Sequence, residues 1–220
     1  MPLPRRAVIA VTSATAPLHN GQPTGMFISE ALHPFQVFKQ HGFEVDLVSE
    51  KGTYVPDWLS LQESFLSGEV KKEWEDVNTL IDYPHAKGLQ KIATDVWAQG
   101  GVVSAVCHGE AIFPGVIDPA TGESIIKGKT ITGFTTQAEY DMHLMDPIRS
   151  WGEPLIDEWA AKLGAKSQGM DLLTSFAASD VRADGVWDDF HVTDGRVVTG
   201  MNPQSAKSTA EATVAVFEKL

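Results

Sequence analysis

The sequence predicts an α/β fold built on a parallel sheet, and three observations predict it. Short β-branched runs bounded by turn residues alternate with longer stretches at helical spacing. The opening unit reads strand, helix, strand, which requires a right-handed crossover between parallel neighbours. A third strand-like run, VVSAV at 102–106, stops at a turn that carries the chain's single cysteine, Cys107. A chain of 220 residues can bury a sizeable core, and it is read as one domain spanning 1–220.

The elements follow in order. Ala7–Ser13 (AVIAVTS) is the first strand, with apolar residues in succession as in a strand buried on both faces. After a loop rich in Pro, Asn and Gly, residues Phe27, Ala31, Phe35 and Phe38 recur at helical spacing. Pro34 marks a kink or a late start, and Gly42 ends the helix. Phe43–Val48 (FEVDLV) is the second strand. Helical spacing resumes at Leu61, Phe65, Val70, Trp74 and Val77, divided at Gly68. Pro84 then opens a helix with Leu89, Ile92, Ala93, Val96 and Trp97 on one face. Only Asn78–Tyr83 separates these helical stretches, too short and polar for a central strand, so the alternation misses a beat. Val102–Val106 is the third strand, Ala111–Phe113 begin a helix, and Lys129–Gly133 form a further strand. Gln137–Arg149 is a mixed helical segment, and Trp151–Leu163 a helix stopped by Gly164. Ser167–Gly185 shows no periodicity. Phe190–Val192 and Arg196–Thr199 flank Asp194-Gly195, a hairpin signal, and Pro203 starts the last helix.

Composition narrows the function classes. The formal net charge is −12 and the Lys and Arg residues are scattered, which opposes the electrostatic attraction behind most nucleic-acid binding. No run of about 18 apolar residues appears, so no membrane span is expected. Met1–Arg6 leads into a strand and does not read as a signal peptide. One cysteine forms no internal disulfide, which fits a reducing compartment, the cytoplasm first and the nucleus second.

Four residues carry candidate chemistry. Cys107 directly after a buried strand sits where α/β proteins bind ligands, and the amides of a following helix would favour its thiolate. The competing reading makes it one more small apolar core residue. His108 is adjacent, and a tight corner can leave its imidazole free to reach an atom bound to the sulfur; otherwise it is a packed histidine. Glu30 has apolar flanks and, turned inward, would keep its proton and donate to a thiolate, although an exposed helix glutamate is the commoner case. Glu139 is one acid in a mixed polar segment. No metal-ligand spacing and no glycine-rich phosphate loop after a strand appears, so no metal or cofactor is expected.

Four blocks together resemble the glyoxalase III branch of the ThiJ/PfpI superfamily. They are GMFISEALHPF around Glu30, AVCHG at Cys107, KGKTITGFT with Glu139 after it, and WDDFHVTDGRVVTGMNPQSA near the end. The resemblance implies a flavodoxin-like, class I glutamine-amidotransferase-like parallel sheet sandwiched by helices. It implies Cys107 as nucleophile, His108 as acid/base partner, Glu139 as the carboxylate that orients His108, and Glu30 as the acid that tunes the thiolate. The implied reaction converts methylglyoxal and water to lactate without glutathione or metal, glyoxal being a related substrate. A homodimer, and chaperone, protein-deglycating and stress-protective activities, are further family-level expectations.

The chain departs from the family pattern in places. A strand with a Gly-Gly-His-Gly corner is absent between Asn78 and Thr79, where the alternation misses its beat, so the sheet is expected to lack a central strand and the site one oxyanion donor. Ser167–Gly185 replaces a short link, and Glu110 stands where the family usually has proline. These changes predict a catalytically weak protein or an incorrectly assembled sequence. The competing function is a redox sensor or holdase that needs only Cys107 and Glu30. Amidotransferase or peptidase chemistry from the same corner is a third, more distant reading.

Overall fold

A computed structural model describes residues 2–66, 86–168 and 185–220. The chain opens with β1 (Arg6–Ala10), a short hairpin of β2 (Pro17–His19) and β3 (Gln22–Pro23), helix α1 (Ile28–Gln40) and β4 (Glu44–Val48). β1 and β4 pair in parallel, with Ala7 opposite Val45 and Ile9 opposite Leu47, so α1 is the crossover of the expected strand, helix, strand unit. α1 runs unbroken through Pro34, which removes the helical bond to the Glu30 carbonyl. Burial of Ile28, Ala31, Leu32, Val37 and Phe38 on its inner face outweighs that loss. The loop before α1 holds a hairpin that sequence reading passed over: Asn20 and Gly21, at φ 52° and 85°, supply the left-handed pair a two-residue turn needs.

The second half begins with α2 (Lys87–Ala98), which leads into β5 (Val103–Val106). Next come β6 (Thr130–Ile131), α3 (Thr136–Asp141), α4 (Met145–Ser150), α5 (Ile156–Lys162) and β7 (Lys166–Ser167). The chain closes with β8 (His191–Asp194), β9 (Val197–Gly200) and α6 (Ala206–Phe217). β9 is parallel to β5 and antiparallel to β8, joined to β8 through the expected turn at Gly195, φ 62°. Among the described residues β6 pairs with β7 alone, so Lys129–Gly133 contributes two residues of strand and not five. The expected helix over Trp151–Leu163 starts later, at Ile156, after Gly152 and Pro154.

Among the described residues no strand joins the β1–β4 pair to the β5–β9–β8 sheet. A cavity of about 930 Å³ runs between them, lined along the length of both β1 and β5. Helices close the core over this gap: α1 packs on α6, and Phe43 meets Phe217 edge to face at 5.0 Å. The helical residues Val70, Trp74 and Val77, the Asn78–Thr79 junction, Pro84 and residues 169–184 lie outside the described residues.

Candidate active site

β5 delivers Cys107 to the carboxyl end of its sheet, and the backbone there turns into the left-handed region, φ 60°. A side chain at that φ is strained, and such strain persists where the surroundings over-determine it. The Cys107 carbonyl is held by the Phe134 N–H at 3.3 Å. The sharp corner brings neighbours together that would point apart in a regular strand: Cys107 Sγ lies 3.3 Å from His108 Nδ1. His108 Nε2 in turn lies 2.7 Å from Glu139 Oε1. Glu139 sits in the first turn of α3, buried and fixed by the Thr135 cap, whose hydroxyl accepts from the Ala138 N–H at 3.0 Å. The His108 ring packs on Phe134 with centroids 4.7 Å apart, and Trp187 meets Phe134 edge to face.

This network assigns the histidine tautomer. A buried carboxylate at Nε2 keeps the proton on Nε2 and leaves the Nδ1 lone pair facing the thiol. The His108 pKa is raised: burial lowers it, and the charge and hydrogen bond of Glu139 outweigh that effect.

Glu30 stands in the first turn of α1 with its carboxyl turned inward and hydrogen-bonded to Cys107. Burial pushes its pKa up to about 8, against the lowering influence of Cys107 and His108. Near neutral pH Glu30 is therefore an acid with a proton to donate toward the sulfur. Sequence reading had the thiol lowered by the amides of a following helix, and the structure corrects this. Cys107–Gly115 is a 3₁₀ stretch containing Pro114, and among the described residues the His108 amide alone favours the thiolate. Burial, followed by Glu30 and then Glu110, pushes the Cys107 thiol well above its ordinary value. The resting nucleophile is a thiol that must lose its proton to His108.

Three further residues at or beside the site carried no clear signal in the sequence. His19 and Asp57 line the same cavity, with His19 Nε2 3.3 Å from Asp57 Oδ1. Asp57 also accepts from Thr24 Oγ1 at 2.9 Å and from the Leu59 N–H at 2.8 Å. Burial raises the Asp57 pKa, but these hydrogen bonds and His19 hold it below its usual value. The Asn20-Gly21 turn was the available cue, because it places His19 at a strand end. Glu110 is 2% exposed, and among the described residues neither carboxyl oxygen has a hydrogen-bond partner. It packs on Gly133, where an added Cβ would meet the Glu110 carboxyl carbon at 3.1 Å and Ile156 at 2.8 Å. Among the described residues, no group of three or more His, Cys, Asp or Glu side chains is placed to hold a metal ion.

Comparison with known proteins places this arrangement. The chain is 42% identical over 245 aligned positions to glyoxalase 3 of Candida albicans, covering 97% of this chain and 98% of the relative. It is 38% identical to a glutathione-independent glyoxalase of Saccharomyces cerevisiae, over 94% of this chain and 95% of that one. The chain belongs to the glutathione-independent glyoxalase family. The crystal structure of glyoxalase III from Candida albicans superposes with a TM-score of 0.86 at 40% identity, covering 98% of both chains. At 12% identity and a TM-score of 0.51, a ThiJ/PfpI domain protein from Brachyspira murdochii shares the fold alone. No protein-family model matches. The first alignment spans 245 positions and this chain has 220 residues, so at least 25 positions of the Candida relative face a gap here. Glutathione-independent glyoxalases are enzymes, and in this chain a cysteine, a histidine and two glutamates lie within reach of one another.

Proposed function

We propose that this chain converts methylglyoxal to lactate without glutathione, through a hemithioacetal on Cys107. The observation that carries the reading is the continuous relay from Cys107 Sγ to His108 Nδ1, 3.3 Å, and from His108 Nε2 to Glu139 Oε1, 2.7 Å. A nucleophile, a base and a group that orients the base are the parts that covalent catalysis requires. The names of the Candida and Saccharomyces relatives support the substrate.

In this mechanism His108 Nδ1 accepts the thiol proton as sulfur adds to the aldehyde carbon. The oxygen of the new hemithioacetal takes a proton from the imidazolium, which returns His108 to its neutral state. His108 then removes the hydrogen on the former aldehyde carbon, and Glu30, holding its proton near neutral pH, protonates the neighbouring carbonyl oxygen. The resulting enediol collapses to a thioester as the second carbon is protonated and the hydroxyl proton returns to Glu30. Water cleaves the thioester, releasing lactate and the Cys107 thiol. Glu139 stabilises each imidazolium through the 2.7 Å bond and keeps the ring in register.

The test is methylglyoxal consumption and lactate formation without glutathione, beside Cys107→Ala. Turnover that disappears in Cys107→Ala supports the reading; a folded wild-type chain that forms no lactate sinks it. His108→Gln separates the enzyme from a redox sensor. Turnover needs the imidazole, whereas oxidation of Cys107 beside Glu30 does not.

A further inference from the structure

Helix α1 carries Glu30 in its first turn, yet Phe27, at its N-cap position, offers no side-chain acceptor to the helix amides. The entry to α1 is fixed just before the helix, by a second segment laid alongside it. The Met26 N–H donates to the Val55 carbonyl at 2.8 Å, the Asp57 N–H to the Met26 carbonyl at 2.9 Å and the Trp58 N–H to the Pro23 carbonyl at 3.0 Å. The two segments approach so closely that a Cβ on Gly25 would overlap the Val55 carbonyl oxygen.

The buried Asp57 carboxyl is the hub of this junction. Its Oδ2 accepts from Thr24 Oγ1 at 2.9 Å and from the Gly25 N–H at 3.2 Å, on the strand of chain that enters α1. Its Oδ1 accepts from the Leu59 N–H at 2.8 Å and lies 3.3 Å from His19 Nε2, at the end of β2. Donors on both oxygens favour the ionised carboxylate. Asp57 lines the cavity that reaches Cys107, and its charge acts on both acid/base groups there, favouring the protonated forms of Glu30 and of His108. Among the described residues, Glu30 also faces Cys107, His108 and Glu110, and His108 also faces Cys107, Glu139 and Glu30.

We propose that Asp57 is a positioning residue for the reaction at Cys107: it anchors the entry to α1, which sets the Glu30 carboxyl against the sulfur, and it holds a fixed negative charge toward Glu30 and His108. Neither part requires Asp57 to touch substrate. The anchoring fixes where the Glu30 proton is delivered, and the charge fixes the pH window in which Glu30 holds that proton and His108 can accept one. His108 must be neutral, which sets the acidic limb of kcat/KM; Glu30 must be protonated, which sets the alkaline limb near pH 8. Removing the Asp57 charge favours the deprotonated form of both groups, so both limbs move to lower pH together. Glu139 acts on His108, and losing its charge moves the acidic limb. The kinetic part of this inference rests on the glyoxalase reading.

The experiment compares Asp57→Asn and Thr24→Val with the wild-type full chain, by methylglyoxal turnover across both limbs and by NMR titration of the His108 ring. Asp57→Asn removes the charge and turns an amide nitrogen toward one set of donors. Its kcat/KM plateau is expected to fall about five- to hundredfold through misplacement of Glu30. Both limbs and the ring titration should move to lower pH by roughly half a unit, a smaller shift than Glu139 causes because Asp57 ranks behind Glu139 and Glu30 in its effect on His108. Thr24→Val removes one donor from Oδ2 while keeping the charge, and should lower the plateau roughly threefold or more with both limbs in place. Asp57→Asn with unmoved limbs and an unmoved ring titration would overturn the proposal, whatever its plateau, because a purely structural anchor gives that result. If Asp57→Asn fails to fold by circular dichroism, Thr24→Val decides: the stated loss supports the proposal and activity within twofold of wild type overturns it. A wild-type chain that forms no lactate sinks the glyoxalase reading alone. The His108 titration then decides for Asp57, a move to lower pH in Asp57→Asn supporting the proposal and an unmoved curve overturning it.

Discussion

Glu139→Gln is the sharpest perturbation of the relay, because it keeps the shape of a buried side chain and removes only its charge. Two outcomes are available to the amide. If its oxygen stays toward His108 Nε2, the ring keeps its tautomer and loses a charged partner. Hydrogen bonds to charged groups contribute about 1.5–3 kcal/mol against about 0.5–1.5 for neutral ones. The difference of about 1–1.5 kcal/mol corresponds to a loss of about five- to twelvefold in kcat/KM. If the amide nitrogen turns toward Nε2, the proton moves to Nδ1, which can then no longer accept from the thiol 3.3 Å away. The equivalent tautomer error in a serine-protease triad costs about 10⁴-fold. The pH profile adds an independent sign. His108 must be neutral to accept the thiol proton, and its pKa, which burial lowers, is raised on balance by Glu139. Removing that charge moves the acidic limb of kcat/KM toward lower pH even as the plateau falls. The assay is methylglyoxal turnover from about pH 5 to 9, paired with an NMR titration of the His108 ring. A Glu139→Gln variant within twofold of wild type, with an unmoved acidic limb, would refute the relay.

Three other outcomes follow from the buried acids and the thiol. Alkylation of Cys107 by iodoacetamide should be slower near pH 7 than that of free cysteine and should accelerate on the alkaline side, because burial and Glu30 hold the thiol up; mass spectrometry of the single cysteine follows it, and fast alkylation at pH 6 contradicts the assignment. Glu30 has a pKa of about 8 in the folded chain against an ordinary 4.5, so the folded state keeps a proton that the unfolded state releases. Its stabilising effect is full below about pH 4.5 and declines as pH rises to about 8, at up to about 1.4 kcal/mol per pH unit, and urea midpoints across that window should flatten in Glu30→Gln. Glu110→Met should stabilise the fold by about 1–3 kcal/mol, since it replaces a buried carboxyl without partners by an apolar chain, and should raise Tm by roughly 2–12 °C with turnover retained.

How much was legible in the sequence depended on whether the signal was local. The first strand, the crossover helix, the second strand and the Asp194-Gly195 hairpin were readable because apolar period and turn chemistry act over a few residues. The Asn20-Gly21 hairpin obeyed the same rule and was read as plain loop, its flanking strands being only three and two residues long. At the site, the corner after VVSAV located Cys107, and the apolar flanks of Glu30 offered its inward turn as one of two readings. The contact between Cys107 and His108 depends on a positive φ that no residue type announced, and the pairing of His108 with Glu139 joins residues 31 apart in sequence. The thiol's pKa was misjudged because helix amides are a local expectation, whereas the buried acids around the sulfur come from distant segments. Asp57 and His19 were missed for the same reason.

Among the described residues the β1–β4 pair and the β5–β9–β8 sheet share no ladder. In a parallel sheet, neighbouring strands normally hold each other through backbone hydrogen bonds, and a break there would be expected to separate the two halves. Among the described residues the connection is made in the helical layer. α1 packs on β1 and β4, α6 packs on β5, β8 and β9, and the two helices pack on each other. Phe38, Phe43 and Phe217 form the aromatic contact across that seam. Cys107, His108, Glu30 and Glu139 line the cavity that runs between the two groups of strands, so the packing of α1 on α6 also sets the walls around the reacting sulfur.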